Sequence, residues 1–264
     1  MSRRLRGLAI AAAIVILACA GFTTYEIVEQ PTNPLFGPAV VAGPPRSHVI
    51  ALTYDDGPNP PYTNAILQVL EKEGVHATFF VVGRAAQAYP AVLRRELRDG
   101  DAIGNHSWDH AHLIVLPASE VKRSLQRTDA AVFAATGLHT HLMRPPFGAR
   151  DWSVMKTAQH LGYTVVLWNV PLARDWEYPP AHVIAQRVLD VATDGAILVL
   201  HDGNRGIVCA DSATPRRTCD RSQDISATRA IVRALKEKDY RFVTIPQLIA
   251  LDRDAMRKRG LAAR

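Results

Sequence analysis

Two adjacent carboxylates, Asp55-Asp56, precede the turn-forming pair Gly57-Pro58. On a strand, neighbouring side chains point to opposite faces, but where a strand ends and the chain turns, the two can take separate tasks. One can bind a cation while the other takes a proton from water. His106 and His110 are spaced so that a helical turn would carry both imidazoles on one side. With Asp56 as third ligand they make a set of two histidines and one carboxylate. Such a set leaves positions open for water and substrate, as a catalytic rather than a structural metal requires. His112 is close by and reads as a loop residue. Arg144 precedes Pro145-Pro146, a rigid pair that fits an arginine aimed inward to hold a carboxylate. His201 ends the apolar run 196–200, and Asp175 as its partner would orient an imidazolium ready to donate a proton.

Elements that could bring these residues together follow from the pattern. Apolar, β-rich runs at 49–54, 77–82, 102–104, 141–143, 163–168, 196–200 and 241–244 predict strands. Helical patterns lie between them at 62–73, 90–98, 118–135, 153–161, 181–191 and 226–238, several ending at a glycine. Repeated strand–helix alternation predicts an α/β fold with parallel strands. The polar clusters stand at or just after the C-terminal ends of successive strands. A closed barrel gathers those ends on one rim, whereas an open sheet spreads them along a line. An irregular (β/α) barrel is therefore expected.

The ends of the chain differ from its middle. Of 264 residues 48% are hydrophobic, enough for one full-sized core. The formal charge of +6 is carried by Arg3, Arg4 and Arg6 and by a basic excess in 252–264. A nucleic-acid protein would carry its basic patch on the folded domain, so no nucleic-acid partner is expected. Three arginines before the apolar run 7–22 predict export, by a cleaved signal peptide or a retained anchor that attaches the chain to the membrane. Ile16-Leu17-Ala18-Cys19 is a weaker match to a lipidation site. Segments are thus expected at 1–23 (signal or anchor), 24–46 (a Pro/Gly-containing linker), 47–251 (the domain) and 252–264 (a basic tail). Cys209 and Cys219 share a polar loop without histidine or CxxC spacing, and in an exported protein a disulfide is expected between them.

Taken together, the motifs resemble the NodB-type polysaccharide deacetylases, carbohydrate esterase family 4. Five stand in the family's order across about 47–251: Thr53-Tyr54-Asp55-Asp56-Gly57-Pro58, His106-Ser107-Trp108-Asp109-His110, Arg144-Pro145-Pro146-Phe147-Gly148, Asp175-Trp176 and Leu198-Val199-Leu200-His201-Asp202. Tyr54 stands where phenylalanine is more usual, and Pro171 stands near an earlier aspartate of the fourth motif. The resemblance implies a distorted, often seven-stranded barrel and a divalent metal, usually zinc, on Asp56, His106 and His110. Asp55 would then be the base and His201 the acid, with Arg144 orienting Asp55 and Asp175 tuning His201. The Phe147 N–H would hold the oxyanion, and Trp176 and Val199 would line the acetyl pocket. The implied activity is removal of N-acetyl groups from an acetylated glycan such as peptidoglycan or chitin oligomers. O-acetyl ester cleavage on the same site and a non-catalytic glycan-binding role are the alternatives. A monomer is expected.

Overall fold

A computed structural model describes residues 27–209 and 216–258. The central strand β1, Val49–Asp55, is buried at all seven positions. A continuous apolar run without alternation suits a parallel strand covered on both faces. Six strands follow: β2 Thr78–Val81, β3 Ala102–Asn105, β4 Leu142–Met143, β5 Thr164–Val165, β6 Ile197–His201 and β7 Arg241–Phe242. All pair in parallel, in the order β5-β4-β3-β2-β1-β6, with β7 beside the first residues of β1. Around them run α1 Tyr62–Glu73, α2 Gly83–Ala88, α3 Pro90–Arg98, α4 Ala118–Thr136, α5 Trp152–His160, α6 Ala181–Leu189, α7 Arg216–Cys219, α8 Ser222–Lys236 and α9 Ile245–Lys258.

The fold is the expected α/β barrel with seven strands, and it is distorted in a specific way. Among the described residues no ladder joins β5 to β6. The gap is bridged by irregular chain. Asn169 Oδ1 accepts from the Ile197 N–H at 3.1 Å. The Val40 N–H donates to Val165 O and the Leu167 N–H to Val40 O, both at 2.8 Å, while the Gly43 N–H donates to Gly195 O at 2.8 Å. Residues 39–43 thus bond to both open edges. This corrects the reading of 24–46 as a spacer, because its described part belongs to the folded body and buries Phe36. Its Pro/Gly-containing composition signals irregular chain, but carries no sign of the sheet edges it satisfies.

Strand parity places the chemistry. Ile50, Leu52 and Tyr54 enter one apolar cluster with α1, α6 and α8. Val49 and Ala51 enter the other with Phe80, Met143, Trp168 and Val199. Asp55 continues the second face of β1, and His201 continues the Ile197–Val199 face of β6. The Tyr54 hydroxyl shares a 2.7 Å bond with Thr228 Oγ1, so the outward face accepts this phenol in a fully buried site. Three helices have no counterpart in the sequence pattern. Helix α2 is six residues opening at a glycine, α7 is four residues, and α9 carries the domain through 251 into the basic tail. Residues 1–26, with the apolar run and Cys19, lie outside the described residues. Among the described residues no helix is long and apolar enough to cross a membrane.

One buried acid yields a stability prediction. Glu96 on α3 is fully buried, and neither carboxyl oxygen has a hydrogen-bond partner. Burial, reinforced by Asp202 and Asp101, pushes its carboxyl well above the usual value of 4.5. The folded chain therefore keeps this proton where the unfolded chain releases it, and stability falls as pH rises beyond about 4.5. Glu96→Gln is expected to raise Tm at pH 8 by about 3 °C or more and to leave it nearly unchanged at pH 4. Thermal melts at the two pH values check this; an equal shift at both would refute it.

Candidate active site

The site is built at the C-terminal ends of β1, β3, β4 and β6. Asp55 is the last residue of β1, and its parity aims it at Arg144, just beyond β4. The two form an ion pair in which Arg144 Nη1 donates to Asp55 Oδ1 at 2.6 Å. Arg144 is fully buried. It also donates to Thr53 Oγ1 at 2.8 Å and to the carbonyls of Val166 and Leu167 at 3.4 and 3.3 Å, with its guanidinium 4.1 Å over the Phe80 ring. This buried cation fixes one carboxylate oxygen and leaves Asp55 Oδ2 toward the imidazoles, 3.9 Å from His106 Nε2.

Asp56 is swung away from Asp55 by a left-handed backbone, φ 78°. The adjoining Gly57 has no room for a side chain, because a Cβ there would lie 1.9 Å from Asp202 Oδ2. Asp202 sits beneath the turn and accepts from Thr63 Oγ1 at 2.5 Å. Burial pushes its carboxyl up to about 7.

His106 and His110 come together, but not on a helix. Residues 106–110 form a loop in which Ser107 and His110 have φ of 65° and 58°. The loop brings the rings to 5.0 Å, so the spacing serves the pair through a turn and corrects the helical reading. Asp56 Oδ1 lies 3.1 Å from His110 Nε2 and 3.6 Å from His106 Nε2. All three ligand atoms fall within 4.8 Å of one another.

Three features fit this trio to a divalent cation. Asp56 Oδ1 is buried without a hydrogen-bond donor. His106 Nδ1 lies 2.8 Å from the Arg144 carbonyl, which can only accept, so the proton sits on Nδ1 and the Nε2 lone pair faces Asp56. Burial, with His110 alongside, holds the His106 imidazolium down to about 3, so the ring is neutral. Burial also disfavours charge on Asp56, yet the neighbouring imidazoles and the Arg205 N–H, 2.7 Å from Oδ2, hold its carboxyl below the usual range.

On β6, His201 faces Asp175 across the gap. His201 Nδ1 lies 2.9 Å from Asp175 Oδ1, and the His201 backbone N–H donates to Oδ2 at 2.7 Å. Burial alone would lower the imidazolium, but Asp175 outweighs it and raises His201 to about 9. The irregular chain 169–174, ending at Arg174 with φ 55°, delivers Asp175 into this position despite Pro171. The sequence did not point to Asp224. It is fully buried on α8 with no hydrogen-bond donor on either oxygen. Burial, with the Asp175 carboxylate nearby, pushes its carboxyl well above the usual range. Nothing in one sequence distinguishes this aspartate from the surface acids of a helix start.

Asp55, Asp56, His106, His110 and His201 line one cleft of about 410 Å³, with Trp168, Leu172, Trp176, Val199 and Phe147 among its walls. The Trp176 ring stands edge-on to His201 at 5.4 Å. Phe147, with φ 63°, packs against His110 at 4.6 Å. Cys209 and Cys219 are bonded, their Cα atoms 5.9 Å apart. The segment after His201 is pinned nearby: Arg221 Nε donates to Gly203 O at 2.7 Å and Asn59 Nδ2 to Cys219 O at 2.9 Å.

Known proteins share both sequence and fold. A family model described as polysaccharide deacetylase matches residues 42–166. The peptidoglycan-N-acetylglucosamine deacetylase PgdA of Listeria monocytogenes is 38% identical over 75% of this chain and 38% of its own length. The chain thus spans about two-fifths of that relative. The chitooligosaccharide deacetylase of Azorhizobium caulinodans is 33% identical over 75% of this chain and 92% of its own. Among solved structures, peptidoglycan deacetylase PdaC from Bacillus subtilis superposes with a TM-score of 0.70 at 33% identity, covering 82% of this chain and 97% of that one. With its five motifs assembled around one cleft, the chain belongs to the polysaccharide deacetylase family, carbohydrate esterase family 4.

Proposed function

We propose that the protein is an extracytoplasmic, zinc-dependent hydrolase that removes N-acetyl groups from amino sugars of a glycan. The observation that carries this reading is the convergence, at one cleft, of a trio of side chains able to hold a metal with two ion pairs, Asp55–Arg144 and His201–Asp175. Asp56, His106 and His110 would hold the metal, and two nitrogens with one oxygen make a donor set suited to catalytic zinc. When bound, the metal supplies Lewis-acid polarisation of the acetyl carbonyl and a lowered pKa for water. Asp55, with Oδ1 held by Arg144, uses its other oxygen to take the proton of the attacking water. The Phe147 N–H stabilises the tetrahedral oxyanion. His201, kept protonated by Asp175, delivers its proton to the leaving amine, and acetate departs. Trp176 and Val199 shape the acetyl pocket, and the Cys209–Cys219 link stiffens the loop beyond His201.

The test is mass spectrometry of acetylated glycans, peptidoglycan fragments and chitin oligomers, after incubation with zinc-loaded protein. Loss of 42 Da per acetyl group, the mass of C2H2O by elementary stoichiometry (about 42), with acetate in solution, is the expected result. Stripping the metal with a chelator is expected to abolish release, and one equivalent of zinc to restore it. Release that persists after complete removal would refute the metal role.

A further inference from the structure

Residues 27–33 precede the barrel and lie outside residues 42–166 matched to the family. Yet Glu29, Gln30 and Pro31 stand in the wall of the catalytic cleft. Their place is set by Arg150, which is 1% exposed. Its Nη2 donates to the carbonyls of Gln30 and Pro31 at 3.0 Å and of Asn33 at 2.7 Å. Its Nη1 donates to Gly148 O at 3.3 Å, and its backbone N–H to Val28 O at 3.2 Å. Releasing this segment would strip a buried guanidinium of the three carbonyls on Nη2 and leave it Gly148 O alone, a costly state. The segment is therefore a fixed strap, tied beside Phe147-Gly148.

Glu29 extends from the strap toward the cleft with 22% of its side chain exposed. Its Oε1 lies 3.3 Å from His112 Nε2. The His112 ring in turn stacks on Phe147 at 4.9 Å and 18°. Phe147 remains 38% exposed, so its ring offers an apolar face next to a carboxylate acceptor. An aromatic face beside an acceptor-only group is a surface that suits a pyranose, with its C–H face and its ring of hydroxyl donors.

We propose that the strap is a sugar subsite and that Glu29 is a specificity-determining residue, accepting hydrogen bonds from the hydroxyl or amino groups of the unit next to the one being deacetylated. The proposal rests on the glycan-deacetylase reading above. It makes chain length matter: a substrate long enough to reach the strap gains contacts that a shorter one lacks.

The experiment measures kcat and KM of zinc-loaded wild type, Glu29→Gln and Glu29→Ala on N-acetylglucosamine oligomers of two to five units. The loss in kcat/KM is expected to grow with length, reaching about tenfold on the tetramer, the worth of one charge-assisted hydrogen bond, and to arise in KM. A fall in kcat by one factor at every length would mean that Glu29 acts only by holding His112 against Phe147, and would overturn the proposal. Unchanged kinetics would overturn it too. Calorimetric titration of the tetramer into zinc-loaded Asp55→Asn, with and without Glu29→Ala, separates this idea from the activity. Binding that depends on Glu29 while wild type releases no acetate would sink the deacetylase reading alone. Binding that ignores Glu29, or no binding, would sink the subsite.

Discussion

Asp55→Asn is expected to cut acetate release by about a thousandfold, within the range that a positioned general base contributes. The asparagine matches the carboxylate in shape but cannot take a proton from water. The metal trio is separate from this position, so bound zinc should stay at one per chain. A stability cost accompanies the change, because Arg144 is fully buried and loses its only anionic partner among the described residues. Removing one member of a buried pair costs about 3–5 kcal/mol, offset here by the bonds Arg144 keeps to Thr53, Val166 and Leu167. Rates should therefore be taken well below the melting temperature of the variant. Wild-type release by a folded, zinc-loaded Asp55→Asn protein would remove Asp55 from the role of base.

His201→Ala separates the amide from the ester. An amine leaves poorly without a proton, whereas an alkoxide of a sugar departs with less help. Loss of the general acid is expected to cost about a hundredfold or more on an N-acetyl substrate and under about tenfold on an O-acetyl ester such as acetylated xylan. Equal losses on both would mean that His201 supports the site without acting as the acid. The ion pair behind it gives an independent readout. With His201 raised to about 9 by Asp175, its ring carbon protons should titrate near that pH by NMR in the metal-free protein. Asp175→Asn should move the transition down to about 6.5 or lower, since the counter-charge goes and the burial remains. A transition that stays near 9 would assign the shift to another group.

The fold was legible because parallel strands bury both faces. Runs such as 196–200 and 49–54 stand out in composition, and the glycines at 74 and 137 end α1 and α4 in left-handed conformations, as expected. The strand bounds are overdrawn for 163–168, where only Thr164–Val165 keeps a ladder and the chain beyond it meets Val40 and, through Asn169 Oδ1, the Ile197 N–H. The segment 24–46 misled for a related reason: the backbone groups it satisfies belong to edges more than 120 residues away in sequence, and side-chain composition does not record them.

Within the site, residue types and their order were enough to name Asp55, Asp56, His106, His110, Arg144, Asp175 and His201, since each carries chemistry that few other side chains can supply. Tertiary structure decided which partner each of them faces. Strand parity turned Asp55 to Arg144, while a left-handed residue turned Asp56 to the imidazoles. The loop at 106–110, rather than a helix, closed the trio. Asp224 behind Asp175, and Glu29 in the cleft wall, entered only with the fold. An exposed acid and a buried one are spelled alike, and burial and distance, which set their charge and reach, exist only once the chain has closed on itself.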